Sequence, residues 1–175
     1  YGIIGLGNQG SSYALKIFDA GKAENAVLTA MCDINEAKIE NVKAKTTNKD
    51  AVYFTDYKEM LDSGLCDAVL IEVPHYSHPE MVEECLKRNI HVICEKPATL
   101  NAEDLSEALD VAKECGCTFS VYQNRRWDGD FLAVKKIIDE NRIGDIYRIE
   151  SRVHGSRGIP DDWRKYAAPG GGMLL

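Results

Sequence analysis

Residues 1–12, Tyr-Gly-Ile-Ile-Gly-Leu-Gly-Asn-Gln-Gly-Ser-Ser, join an apolar run to a Gly-x-Gly-x-x-Gly pattern at Gly5, Gly7 and Gly10. This pattern predicts a tight turn from a β-strand into an α-helix. Gly5 allows the bend, Gly7 lets a ligand's phosphates approach the backbone, and Gly10 lets the helix pack close to the sheet. A turn of this kind is typical of a dinucleotide-binding site, in which the pyrophosphate lies at the helix N-terminus.

The next apolar run, residues 27–32, ends at Asp33, which lies 23 positions beyond Gly10. A carboxylate at this place accepts hydrogen bonds from both ribose hydroxyls of NAD and repels the extra phosphate of NADP. Binding of that phosphate normally requires a nearby arginine. Residues 34–36 are not basic, so the sequence favours NAD, although Lys38 one turn later leaves NADP open. Alternatively Asp33 only caps the following helix, and the two roles are compatible.

The composition fits a protein that binds a small molecule. The chain has 175 residues, 45% of them hydrophobic, which is enough for one doubly wound domain and a remainder. The formal net charge of −7, with scattered basic residues, argues against nucleic acid or an anionic membrane as a partner. Six cysteines lie mostly in or beside predicted strands and helices, which predicts buried, reduced thiols in a cytoplasmic protein. Cys115-Gly-Cys117 lacks the two-residue spacer of redox and zinc motifs, so we predict no metal site.

Short apolar runs alternate with helical stretches, a pattern that predicts an α/β fold with a Rossmann-type doubly wound parallel sheet. Three helix starts are marked by residues that favour N-caps, Asp56, Ser77 and Asn101, each followed by an acid three positions on. We expect residues 1–123 to form an NAD(P)-binding domain. Its predicted strands are residues 3–6, 27–32, 52–54, 68–71, 92–94 and 119–122.

The character of the chain changes after residue 123. A polar run is followed by an amphipathic helix that closes at Gly144, and then by an alternating strand at residues 146–153. The chain stops in an apolar segment, and Tyr1 lies inside the first predicted strand. We therefore expect residues 124–175 to hold a linker helix and the first strand of a second α/β domain that is truncated here.

Two motifs are expected at the carboxyl edge of the sheet, where open α/β sheets bind ligands. Glu95-Lys96-Pro97 directly follows the fifth strand. A lysine beside a positively charged nicotinamide ring loses stabilisation of its ammonium form, and it can take the proton of an alcohol as hydride leaves. Residues 72–78 follow the fourth strand and border the other side of the same cleft. The alternatives are an exposed Glu-Lys turn for the first motif and packing or capping histidines for the second.

Six motifs follow one another along the chain: Gly-Leu-Gly-Asn-Gln-Gly at residues 5–10, Cys32-Asp33, Val73-Pro74-x-x-x-His78, Glu95-Lys96-Pro97, Asn124-Arg125-Arg126-Trp127 and Ile143-Gly144-Asp145-Ile146. In their order and spacing the chain closely resembles the glucose-fructose oxidoreductase, inositol dehydrogenase and MocA (Gfo/Idh/MocA) family. The resemblance implies an NAD(P)-dependent oxidoreductase that acts on a sugar, cyclitol or related polyol. It also implies a second domain whose open sheet supports substrate binding and assembly into a homo-oligomer.

The resemblance also assigns roles to single residues. Lys96 matches the family's catalytic lysine, Glu95 a residue near the nicotinamide ribose, and Pro97 a proline that follows a cis bond in relatives. The predicted cofactor-binding residues are Gly5, Gly7, Asn8, Gln9, Gly10, Asp33, Ile34, Val73, Pro74, His75, His78, Glu95 and Lys96. The predicted substrate residues are Asn124, Arg126, Trp163 and Arg164.

The chain departs from the family pattern in one respect. Relatives carry an Asp and a His one helical turn apart just after the segment that matches residues 170–175, and this chain contains neither. We therefore expect these 175 residues alone to bind NAD weakly and not to turn over. Two alternatives for the parent protein remain, a dinucleotide-binding sensor without catalysis and an NAD-dependent glycoside hydrolase.

Overall fold

Two compact units, Tyr1–Tyr122 and Gln123–Leu175, make up the chain in a computed structural model. The structure describes residues 1–152 and 154. The first unit contains a parallel sheet with helices on both faces, as the alternation of apolar runs predicts.

The sheet has six parallel strands in the order β3-β2-β1-β4-β5-β6. The prediction of six strands is confirmed, but the first and sixth strands end earlier than predicted and the second begins later. The first strand ends before Gly5 because the backbone there turns to a φ of +96°. The second begins after Val27, whose side chain is 70% exposed. The strands are β1 (Gly2–Ile4), β2 (Ala30–Cys32), β3 (Val52–Phe54), β4 (Ala68–Ile71), β5 (His91–Cys94) and β6 (Phe119–Val121).

Side-chain caps fix the starts of several helices in the first unit. Asp56 accepts a hydrogen bond from the backbone of Lys58 at 2.7 Å, and Asn101 accepts one from Asp104 at 2.8 Å. Ser77 precedes its helix as predicted but makes no such bond, because a short 3₁₀ turn leads into the helix there. The helices are α1 (Asn8–Tyr13, continued by a π-helix at Ala14–Phe18), α2 (Glu36–Lys43), α3 (Tyr57–Asp62), α4 (His78–Lys87) and α5 (Ala102–Glu114).

The core lies on both faces of the sheet because successive strand residues point to opposite sides. One face contributes Ile4, Val69 and Ile71 to a cluster with α3, α4 and α5, and the other packs Ile3 and Met31 against α2 and the π-helix. With both faces covered, the carboxyl ends of the strands are the edge left for a ligand.

The buried cysteines are structural rather than reactive. No disulfide links any of the six, all of which lie in the described part of the chain, and four of them are buried. Burial raises the pKa of the Cys32 and Cys85 thiols to about 12, which keeps them protonated and inert.

Within its described residues the second unit has a 3₁₀ turn, Asn124–Trp127, and one helix, α6 (Gly129–Asp139). The predicted helix is therefore present, but it ends five residues before Gly144. The strand predicted at residues 146–153 is absent from the described residues 146–152. A strand needs a neighbour for its backbone hydrogen bonds, and no described segment pairs with this one. None of the helices in the described ranges is long and apolar enough to cross a membrane.

Candidate functional site

The crevice between β1 and β4 is the natural ligand site of this sheet. The strand order reverses there, so the connections after the two strands leave toward opposite faces. Four strands end at this edge, and each is followed there by a predicted site segment. These segments are the glycine turn after β1, Asp33 after β2, residues 72–78 after β4, and Glu95-Lys96-Pro97 after β5.

The three glycines of the turn differ in what surrounds them. A Cβ on Gly5 would strike the carbonyl oxygen of Glu72 and lie 2.9 Å from Val73 Cγ1. A Cβ on Gly10 would strike the carbonyl oxygen of Gly5, whose carbon lies 3.0 Å away. A Cβ on Gly7 would meet no atom within 4 Å. Gly5 and Gly10 therefore serve the packing of the backbone, whereas Gly7 keeps an open space free, which fits a cofactor's pyrophosphate.

The start of α1 is suited to an anion. Gly7 precedes the helix, and the first turn contains no acidic side chain to repel a phosphate. The Ser11 hydroxyl donates to the carbonyl oxygen of Leu6 at 2.8 Å and so ties the helix to the turn. Asn8 and Gln9 are exposed beside this start, and the Gln9 amide donates to the Tyr13 hydroxyl at 3.1 Å.

Asp33 is fixed by the turn itself. The side chain is only 5% exposed, and its two oxygens accept hydrogen bonds from the backbone N–H groups of Leu6 at 2.8 Å and Asn35 at 2.9 Å. The ammonium group of Lys38 lies 3.2 Å from Oδ2, a contact that the sequence did not reveal. Ile34 follows with 91% of its surface exposed. The carboxylate is therefore oriented before any ribose arrives, with one cation already beside it.

Lys96 lies at the same edge, after β5. Its side chain is exposed, and its backbone N–H donates to Oε2 of Glu95 at 3.0 Å. The backbone N–H of Glu95 donates to the Ile71 carbonyl at 3.1 Å, which holds the start of this motif against the end of β4. The peptide bond between Lys96 and Pro97 is cis, which confirms the prediction made from the resemblance.

His78 joins the two loops of the edge. It is fully buried, with Nδ1 2.7 Å from the Pro97 carbonyl oxygen and Nε2 2.9 Å from the Val73 carbonyl oxygen. Both ring nitrogens are thus occupied by the backbone, so the structure favours the packing role over direct contact with a ligand. His75 is half-buried, with its ring centroid 5.9 Å from that of His78.

Glu72 is a member of this edge that the sequence reasoning missed as a functional residue. Its Oε2 is buried and has no hydrogen-bond partner among the described residues. Burial, and then the nearby charge of Glu95, raise the pKa of the Glu72 carboxyl to about 8. The sequence did contain a signal for this residue, since Glu72 is an acid that directly follows the fully buried strand Ala68–Ile71.

The described part of the chain contains all the predicted site residues except two. Asn124 and Arg126 are exposed in the 3₁₀ turn of the second unit, and Trp163 and Arg164 lie outside the described residues. The remaining residues all lie at the carboxyl ends of four neighbouring strands in the first unit: Gly5, Gly7, Asn8, Gln9, Gly10, Asp33, Ile34, Val73, Pro74, His75, His78, Glu95 and Lys96.

Comparison with known proteins identifies dehydrogenases and an NAD-binding protein that are similar to this chain. The myo-inositol 2-dehydrogenase of Thermotoga maritima is 33% identical over 155 residues, which cover 86% of this chain and 44% of that protein. Among solved structures, an NAD-binding protein from Listeria innocua is 41% identical with a TM-score of 0.88, covering 99% of this chain and 50% of that one. The scyllo-inositol dehydrogenase from Lactobacillus casei, with bound cofactor NAD(H) and scyllo-inositol, is 30% identical with a TM-score of 0.74, covering 82% and 42%.

The chain spans less than half the length of the curated relatives it matches. Two family matches account for most of it. Residues 1–123 match the oxidoreductase family with an NAD-binding Rossmann fold, and residues 131–175 match the GFO/IDH/MocA C-terminal domain. The glycine turn, the oriented Asp33 and the Glu95-Lys96-Pro97 motif thus lie in a chain that belongs to the Gfo/Idh/MocA family of NAD-binding oxidoreductases.

Proposed function

We propose that this chain supplies the cofactor-binding half of an NAD-dependent dehydrogenase that interconverts a secondary alcohol and a ketone on a sugar, cyclitol or related polyol. The observation that carries the proposal is the convergence of the open space at Gly7, the fixed carboxylate of Asp33 and the exposed Lys96 on one edge of the sheet. The relatives that are inositol dehydrogenases support the substrate class.

Each segment of the edge has a separate task in this proposal. The glycine turn holds the pyrophosphate, and Asp33 accepts hydrogen bonds from the hydroxyls of the adenosine ribose. The loops with Pro74 and Glu95 border the nicotinamide end of the cofactor. Bound NAD supplies the hydride acceptor. Lys96, exposed at the end of β5, takes the hydroxyl proton of the substrate or returns it.

The rest of the protein belongs to the proposal as well. We place the boundary of the cofactor domain at residue 123 and assign residues 124–175 to the opening of the domain that binds substrate and joins copies of the protein. We also assign the enzyme to the cytoplasm, a location that its six unpaired thiols support.

The cofactor preference gives a direct test of Asp33. We expect Asp33→Asn to lower the affinity for NADH about tenfold, because charge-assisted hydrogen bonds to the ribose are lost. The affinity for NADPH should not fall, because the repelling charge is gone and Lys38 loses its ionic partner. Fluorescence titration with both cofactors measures the ratio, and Asp50→Asn, at an exposed position, serves as the control. An unchanged ratio would contradict the assignment.

The reaction itself is tested on the full-length protein with NAD and a panel of free polyols, including myo-inositol and scyllo-inositol. We expect net formation of NADH, followed by its absorbance, with at least one free polyol. Cleavage of an aryl glycoside without net NADH would replace the proposal with a glycoside hydrolase. Tight binding of NAD with no turnover of any substrate would replace it with a sensor.

A further inference from the structure

Glu72 is built into the wall of the cofactor crevice. It is the first residue after β4, and its backbone N–H donates to the Ile4 carbonyl at 2.8 Å. Its carbonyl oxygen is the atom that a Cβ on Gly5 would strike, and its own Cβ is 3.4 Å from the place of a Cβ on Gly10. The side chain therefore leaves the backbone directly beside the glycine turn.

The carboxyl group of Glu72 has one oxygen, Oε2, that no described residue stabilises by a hydrogen bond. This oxygen is buried without a hydrogen-bond partner among the described residues. The groups that interact electrostatically with the carboxyl are Glu95 and Cys94 from β5 and its end, and Tyr13 from α1. The ring of Tyr13 in turn packs edge to face against the ring of Tyr122, with the centroids 5.6 Å apart. A negative charge in such surroundings is costly, so the neutral acid is the favoured form.

A neutral carboxylic acid has one O–H group to donate, and a buried donor calls for an acceptor. Bound NAD places oxygen acceptors of its phosphates, ribose and carboxamide in the crevice between β1 and β4. An ionised Glu72 would instead repel the pyrophosphate. The rise of the Glu72 pKa to about 8 agrees with a neutral group at physiological pH.

We propose that Glu72 is a further cofactor-binding residue, whose neutral carboxyl donates a hydrogen bond to an oxygen of the bound dinucleotide. The proposal rests on cofactor binding and not on the hydride transfer proposed above. Ionisation of Glu72 removes the donor and adds repulsion, so the affinity for NADH falls as the pH rises through the pKa of this group.

The test is a fluorescence titration with NADH at several pH values between about 6.5 and about 9.5, a range that brackets the titration of Glu72. We expect the Kd of the wild-type protein for NADH to increase about tenfold across this range, because ionisation of Glu72 removes one hydrogen bond and adds one repelling charge. Glu72→Gln keeps an N–H donor and should bind at the wild-type low-pH level throughout. Glu72→Ala should bind at every pH about tenfold more weakly than the wild type does at low pH. Glu107→Gln, an exposed change on α5, should follow the wild type.

Thermal unfolding without cofactor checks that the variants fold and that Glu72 titrates. The pKa of Glu72 rises from 4.5 to about 8 on folding, so the folded protein holds a proton that the unfolded chain has lost between these values. The wild type therefore loses stability as the pH rises through this window, whereas Glu72→Gln does not. The difference between the Tm of Glu72→Gln and the Tm of the wild type should therefore increase with pH up to about pH 8 and then level off.

Two results would overturn the proposal. One is a wild-type Kd that stays constant over the pH range, and the other is a Glu72→Ala protein that binds NADH as tightly as the wild type at low pH. Neither result depends on turnover, so a failure of the proposed hydride transfer leaves these binding curves unchanged.

Discussion

Replacing Lys96 with alanine should lower kcat of the full-length protein by about 100-fold to 10,000-fold, the usual contribution of a positioned acid or base. The affinity for NADH should change by about twofold or less, because the Lys96 side chain is exposed and the hydrogen bond from Lys96 to Glu95 comes from the backbone. Steady-state kinetics with the best polyol and fluorescence titration with NADH measure the two quantities. Lys113→Ala, at an exposed position on α5, is the matched control.

Lys96→Arg separates proton transfer from charge. Arginine keeps the positive charge but does not give up its proton at neutral pH, so this variant should be nearly as inactive as Lys96→Ala. Recovery of normal turnover in Lys96→Arg would show that the lysine acts only as a charge. Normal turnover in Lys96→Ala would end the catalytic assignment altogether.

The second large effect is expected at Gly10. Gly10→Ala should lower the Tm by roughly 5 °C and abolish measurable NADH binding, because the new Cβ strikes the Gly5 carbonyl and pushes α1 away from the sheet. Gly7→Ala is the informative partner, since its Cβ meets no atom of the protein within 4 Å. We expect this variant to keep its Tm and to bind NADH about tenfold more weakly, because the methyl group occupies the space meant for the pyrophosphate.

Differential scanning calorimetry and NADH titration read out both variants. Gly129→Ala, where a Cβ also meets nothing within 4 Å, should leave both quantities unchanged. If Gly7→Ala bound NADH as well as the wild type, the pyrophosphate would have to lie elsewhere. If Gly10→Ala were as stable as the wild type, the close packing of α1 on the turn would be less important than the geometry indicates.

The parts of the fold that the sequence predicted correctly are those with local signals. The glycine turn, six short apolar runs and the caps at Asp56 and Asn101 each depend on residues within a few positions. The cis bond before Pro97 was also foreseen, though from the resemblance to a family rather than from the residues themselves.

The parts that the sequence did not reveal depend on contacts between separate segments. Oδ2 of Asp33 meets Lys38, five positions on, only because α2 turns back over the end of β2. The bond from His78 to the Pro97 carbonyl joins positions 19 apart, and no local pattern distinguishes it from an ordinary capping histidine. The strand expected at residues 146–153 is missing from the described residues 146–152 for the same reason, since its formation depends on a partner strand and not on its own alternation.

The bridge made by His78 has a consequence for protein engineering. Because one buried ring contacts the carbonyl oxygens of both Val73 and Pro97, the loop after β4 and the lysine-bearing loop after β5 pack against the same side chain. A mutagenesis library that varies residues 73–77 in search of a new substrate will therefore also shift Lys96, and most of its members will lose rate before they gain selectivity. Libraries that leave both loops and His78 intact separate the two properties.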